Sequence, residues 1–175
     1  MTTERNNTLT TRTGFQFEVR RARPEDELTL AEFFTHVTPA DLRFRFLGGV
    51  KVSHERLVSM TRSDDAGIYN FLALAMDGML IAVATLACDE PPRRHGEVAI
   101  CTRADHKHLG VSWELLSHIA KYAEELGLHT IESIENRENQ AAIELEREMG
   151  FTVAAYPDDP TLVLVRRDLR SRPAE

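Results

Sequence analysis

The segment "EVAICTRADHKHLGVSWELLSHIAKYAEELG", residues 97–127, constrains the fold most. Residues 97–102 alternate and are rich in apolar and β-branched types, which predicts a strand. From Val111 to Leu126 the period changes to helical, with Leu115, Ile119, Tyr122 and Leu126 on one stripe. Gly127 is placed to end that helix in a left-handed conformation. The next segment, "HTIESI", reads again as a strand. A strand that enters a long amphipathic helix and returns as a strand requires a sheet with helices packed on it.

The flanking segments extend this pattern. "FQFEVRRA" reads as a strand. "RPEDELTLAEFFTHV" reads as a helix with Pro24 in its first turn and a stripe of Leu28, Ala31 and Phe34. "TPADLRFRFLGG" predicts a second, short helix capped by Thr38, with Pro39 at its first position and Gly48 and Gly49 at its end. "SHERLVSMT" is a third helical piece. "NFLALAMDGMLIAVATLAC" holds two apolar runs about Asp77-Gly78, a hairpin signal. "NQAAIELEREMG" predicts a helix with Asn139 at its N-cap and Gly150 at its end, followed by the strands "FTVAAY" and "TLVLVRRDL". The expected architecture is a single α/β domain over residues 15–170, with a mixed, mostly antiparallel sheet of six to seven strands flanked by helices. Residues 1–14, polar and threonine-rich, are expected to be a flexible tail, and residues 171–175 a charged C-terminal tail.

Composition narrows the function classes. A net charge of −7 disfavours a nucleic-acid binder, which needs basic surface to displace counterions, and suits a cationic partner. The two cysteines, Cys88 and Cys101, form neither a disulfide framework nor a zinc spacing. His106 and His108 lie close together without a carboxylate or thiol at metal-site spacing, so no metal is expected. No secretory apolar run and no membrane-spanning run is present, and the expected location is cytoplasmic.

The turn between the strand and the long helix carries the chemistry. Free N–H groups in a helix's first turn attract an anion. Here Gly110 permits close backbone approach, Ser112 adds little bulk, and Arg103, His106, Lys107 and His108 add positive charge. The alternative is a bland strand–turn–helix with a solvated basic loop. Glu97 opens the strand and shares a face with Ala99 and Cys101, while Val98, Ile100 and Thr102 share the other. A carboxylate at the start of a strand feeding an anion site can be a general base; otherwise it is a solvated strand-end charge.

Over roughly residues 17–167 the chain resembles the GNAT acyltransferase superfamily. "KHLGVS", Lys107 to Ser112, stands where that family has its Q/R-x-x-G-x-G/A acyl-CoA motif. "NQAAIELEREMGF", Asn139 to Phe151, matches its later Asn-to-Gly-Phe pattern. "TPADLRFRFLGGVKVSHERLVSMT" with "GEVAICTRADHKHLG" is similar to the catalytic domain of Pat-type bacterial protein-lysine acetyltransferases, and Glu97 falls on that group's general-base glutamate. Departures are Lys107 for Gln/Arg, His108 for a usual glycine, Ser112 for Gly/Ala, and Glu146 where many members place a Tyr general acid seven residues after the Asn.

The resemblance implies acetyl-CoA as co-substrate and direct transfer to a primary amine. The acceptor it favours is a protein lysine, such as one on an acyl-CoA synthetase. A small-molecule amine is the runner-up, and an acyl-CoA-binding regulatory module without turnover is a third reading. It assigns Glu97 as base and the backbone of Ala99, Ile100 and Cys101 beside the pantetheine arm. Lys107, His108, Leu109, Gly110, Val111 and Ser112 would hold the pyrophosphate, with Asn139 near the pantetheine or amine. A monomer or homodimer is expected.

Overall fold

The computed structural model describes residues 7–47, 51–62 and 67–170. Eight strands form one sheet, in the spatial order β1 (Asn7–Thr10), β2 (Gln16–Arg21), β3 (Ile68–Ala75), β4 (Leu80–Cys88), β5 (His95–Thr102), β6 (Thr130–Asn136), β8 (Leu162–Asp168) and β7 (Thr152–Ala155). Every neighbouring pair is antiparallel except β5 and β6. The connection between those two is α4 (Val111–Glu125), because parallel neighbours need a crossover rather than a hairpin.

The strand count exceeds the expected six to seven because Asn7–Thr10, inside the expected flexible tail, pairs with β2. Four residues are too few for an alternation signal. The pairing is secured by tertiary context: Thr11 is buried, its N–H donates to the Phe15 carbonyl, and its Oγ1 accepts from the Phe15 N–H at 3.1 Å. The C-terminal tail, residues 171–175, lies outside the described residues.

Helices cover both faces. On one face α4 and α5 (Gln140–Glu148) bury Leu115, Ile119 and Ile143 against Phe17, Phe71, Leu86, Val98 and Ile131. On the other, α1 (Glu27–Thr35), α2 (Pro39–Phe46) and α3 (His54–Thr61) pack Leu30, Phe33, Phe34, Leu57 and Met60 against Leu72, Val83 and Cys101. β4 is therefore apolar on both sides, as a central strand must be. The turn at Asp77-Gly78 forms as predicted, with Gly78 at φ +89°. The expected stripe on α1 is corrected: Leu28 is 83% exposed, and the inward face is Leu30, Phe33 and Phe34. A 3-10 turn at Pro24–Asp26 precedes the helix and sets its rotation. Thr38 caps α2 by accepting from the Asp41 N–H at 3.1 Å, and Leu47 takes the left-handed position at its end. Gly48 and Gly49, expected there, lie outside the described residues.

Candidate active site

β5 and β6 pair only at their beginnings: His95 with Thr130, Gly96 with Ile131, and Glu97 with Glu132. Beyond Glu97 the two strands separate, while β5 stays paired to β4 as far as Thr102. The sheet splits there, and a cavity of about 660 Å³ opens in the gap. The residues assigned to catalysis and acyl-CoA binding from the sequence line it: Glu97, Ala99, Ile100, Cys101, Lys107 to Ser112, and Asn139.

Glu97 is the last paired residue before the split. The β4–β5 register is unbroken, so Glu97, Ala99 and Cys101 share the face covered by α1 to α3. Although its side chain reaches solvent, partial desolvation raises the Glu97 pKa, Glu132 adds to the rise, and Arg45 opposes it. Cys101 is buried, and burial pushes its thiol up to about 12, so it is a neutral packing group and no nucleophile.

The turn before α4 has the backbone an anion site needs. Gly110, at φ +88°, occupies the N-cap without a side chain to satisfy the first-turn N–H groups. A Cβ there would sit 3.3 Å from the Thr11 Cβ, a tight contact that adds to the conformational reason for glycine. Ser112 Oγ lies 3.0 Å from Thr102 Oγ1 and ties the helix start to the strand end. His108, where the resembled motif has glycine, adopts φ +66°. The basic cluster is not as expected. Arg103 is only 6% exposed and absent from the cavity lining. Its Nε donates to Asp105 at 3.0 Å and its Nη1 faces Glu32 at 3.4 Å. Lys107 Nζ is bound to Asp41 at 2.6 Å, and His106 Nδ1 lies 2.7 Å from Asp105. Instead Arg12, from the N-terminal turn once read as tail, reaches the cavity with its guanidinium 4.7 Å over the Trp113 ring.

The opposite wall holds carboxyls that sequence reasoning passed over as a pair. Glu146, 6% exposed, accepts from the Ser133 hydroxyl at 2.5 Å, and its second oxygen is buried without a partner. Asn139 starts α5 but does not cap it; its amide donates to Glu135 Oε2 at 3.0 Å. Desolvation raises both carboxyls toward neutrality, and their proximity couples them. The signal was present: Glu146 follows Ile143 by three on the inward stripe of α5, and Ser133 and Glu135 follow buried Ile131 at a spacing of two, on the same face of β6. From α2 and its C-cap, Asp41, Phe44, Arg45 and Leu47 complete the wall on the Glu97 side. Among the described residues no group of His, Cys, Asp or Glu is arranged to hold a metal ion, and no helix is long and apolar enough to cross a membrane.

The chain is 30% identical over 153 residues to the acetyltransferase PA5475 of Pseudomonas aeruginosa, covering 85% of this chain and 81% of that one. Its fold is similar to the GNAT domain of S. lividans PAT, with a TM-score of 0.86, 22% identity, and 93% and 96% of the two chains covered. It is also similar to yncA, a putative acetyltransferase from Salmonella typhimurium solved with its cofactor acetyl-CoA, with a TM-score of 0.71, 20% identity, and 91% and 97% covered. The Acetyltransferase (GNAT) family model matches residues 33–151, and with the split sheet and the uncapped helix start in place, the chain belongs to that family, whose members use acetyl-CoA as acetyl donor.

Proposed function

We propose that the protein transfers the acetyl group of acetyl-CoA directly to a primary amine within a ternary complex, and that the amine is a protein lysine. The observation that carries this reading is the placement of ionisable groups about the gap. Glu97 lies on the α1–α3 face, while Glu135 and Glu146 lie on the α4–α5 face. An amine approaching from one face and a thiolate leaving toward the other would meet a proton acceptor and a proton donor in turn.

The uncapped N-terminus of α4 at Gly110 suits the pyrophosphate through first-turn N–H groups, and Arg12 adds a cation nearby. The unpaired edge of β5 from Ala99 to Cys101 offers backbone groups to the pantetheine arm and the acyl carbonyl. A lysine ammonium, with a pKa near ~10.4, must lose a proton before it attacks. Glu97 accepts that proton, directly or through water. The nitrogen bonds to the acetyl carbon, the carbon–sulfur bond breaks, the nitrogen's second proton passes to solvent to leave the neutral amide, and the thiolate takes a proton from the Glu135–Glu146 pair. Solvent then removes the proton from Glu97 and restores one to the pair. Asn139, fixed by Glu135, keeps its amide oxygen free to accept from the pantetheine or the amine.

Support for a protein lysine comes from the Pat-like stretch carrying Arg45 and Phe46 and from an acidic chain that suits a cationic partner. The test is thiol release from acetyl-CoA across lysine peptides, candidate proteins and small amines. Intersecting initial-rate patterns with a lysine acceptor are expected. Parallel patterns would remove the ternary complex, and thermal stabilisation by acetyl-CoA without thiol release from any acceptor would leave a binding module.

A further inference from the structure

Arg45 is anomalous in its surroundings. Its guanidinium lines the cavity on the Glu97 face, yet among the described residues its only hydrogen-bond partner is a neutral hydroxyl. Its Nη2 donates to Thr85 Oγ1 at 3.1 Å. The Thr85 hydroxyl donates to Asn70 Oδ1 at 2.8 Å, and Asn70, 4% exposed, donates to the Arg62 carbonyl at 3.3 Å. This relay fixes the guanidinium from behind. Its Nε is buried with no partner, and among the described residues no carboxylate lies within salt-bridge distance. A second guanidinium adds to the imbalance. Arg45 lies 5.0 Å from the Phe46 ring centroid and Arg56 lies 4.4 Å from the same centroid, and neither is ion-paired among the described residues.

A desolvated cation held by neutral partners costs stability unless an anion completes it. Arginine cannot escape by losing its proton. A planar fork with an unused N–H edge matches a carboxylate. The anion does not come from the pyrophosphate assigned above: Arg45 is bonded to Thr85, which pairs with Ala99 near the Glu97 end of β5, whereas the turn before α4 follows Thr102 at that strand's other end, where Lys107 takes Asp41. An acetyl group carries no charge. Glu97 reaches Arg45 only through its field, beyond salt-bridge distance, so a directly bonded anion can arrive with the acceptor, on the face where Glu97 stands.

We propose that Arg45 is an anion subsite for the acceptor, and that this enzyme selects amines carrying a carboxylate beside the reacting nitrogen. The inference rests on the acetyltransferase reading above. In the bound acceptor the nitrogen faces Glu97 and the carboxylate faces Arg45, with Thr85 and Asn70 as positioning residues. The carboxylate can belong to an Asp or Glu side chain next to a lysine or to a free amino acid, and the experiment separates the two.

Two lysine peptides differing only in Glu or Gln beside the lysine are compared, together with a free ω-amino acid and its carboxamide. The wild type is expected to favour the acidic member of at least one pair by about tenfold in kcat/KM, mainly through KM, since a buried charged hydrogen bond discriminates on that scale. Preference within the peptide pair assigns a protein acceptor, and within the free pair a small one. In Arg45→Gln the acidic-to-neutral ratio should fall to near one, and in Thr85→Val it should fall part of the way with the charge still present. Equal kcat/KM within both wild-type pairs overturns the proposal and needs no variant to fold. So does a ratio unchanged in a folded Arg45→Gln protein, or an Arg45-dependent preference for succinyl-CoA over acetyl-CoA with no acceptor preference. Calorimetry of the same four ligands on CoA-loaded protein reads the contrast without turnover. A protein that binds the acidic ligand through Arg45 but transfers nothing keeps this inference while removing the proposed activity.

Discussion

Glu97 and the Glu135–Glu146 pair bound the same cavity, and both have pKa values raised by desolvation, but their surroundings make them different reagents. Glu97 reaches solvent at the end of the β5–β6 pairing and has the positive field of Arg45 opposing its rise. Its ionised form can accept a proton. Glu146 is buried, has one oxygen without a partner, and faces a second carboxyl, so its surroundings favour a proton held on the pair. Two carboxyl environments on opposite faces of a split sheet can thus divide acid and base work, each determined by burial and neighbours rather than by residue type.

The largest expected effect tests the base. Glu97→Gln should lower turnover by roughly 10²–10⁴-fold, the usual range for a general base, with acetyl-CoA affinity nearly unchanged. The rate should recover partly at high pH, where free amine is abundant. Turnover within about threefold of wild type at neutral pH would reduce Glu97 to a strand-end charge. Next, Ser112→Glu should separate the faces. A carboxylate at the start of α4 repels phosphate and should weaken acetyl-CoA by about 10²–10³-fold, from a repulsion of roughly 4 kcal/mol between near charges. Calorimetry showing unchanged affinity would move the donor site elsewhere.

A smaller effect is expected at the pair. Glu146→Gln should slow turnover by about tenfold, less than loss of the base, because a thiolate with a pKa near ~8.5 leaves without full protonation. Stability gives a second measure. A carboxyl whose native pKa is raised binds a proton that the unfolded chain releases, so stability falls as pH climbs from the ordinary carboxylate range toward neutrality. Melting temperatures across that window should decline less steeply in Glu146→Gln than in wild type; parallel curves would show that the pair is ionised alike in both states. The smallest effect concerns the turn. His108 holds φ +66°, and His108→Gly should raise the melting temperature by roughly 1–3 °C, because glycine meets no steric cost there. No rise would mean that packing of the imidazole compensates for the strain.

Much of this was legible in one dimension. The strand–turn–helix from Glu97 to Glu125 appears as a change of period from two to 3.6, and that change placed Glu97, Gly110 and Ser112 around one opening. Side-chain pairing was not legible. Arg103 reads as part of a basic cluster, but Asp105 and Glu32 draw it away from the cavity, and Glu32 is on a distant helix. Asn139 reads as a cap, but its amide goes to Glu135 one strand earlier.

The chain's own periodicity determined which segments are strands and helices and which face of each is apolar, because backbone geometry fixes those repeats locally. Only the tertiary structure decided that Asn7–Thr10 joins the sheet, that β5 and β6 part after Glu97, and that Arg45 stands in the cavity on a Thr85–Asn70 relay. Each depends on partners far away in sequence. A charge's burial, and so its protonation state and its use, is set by everything that packs around it, which no local pattern records.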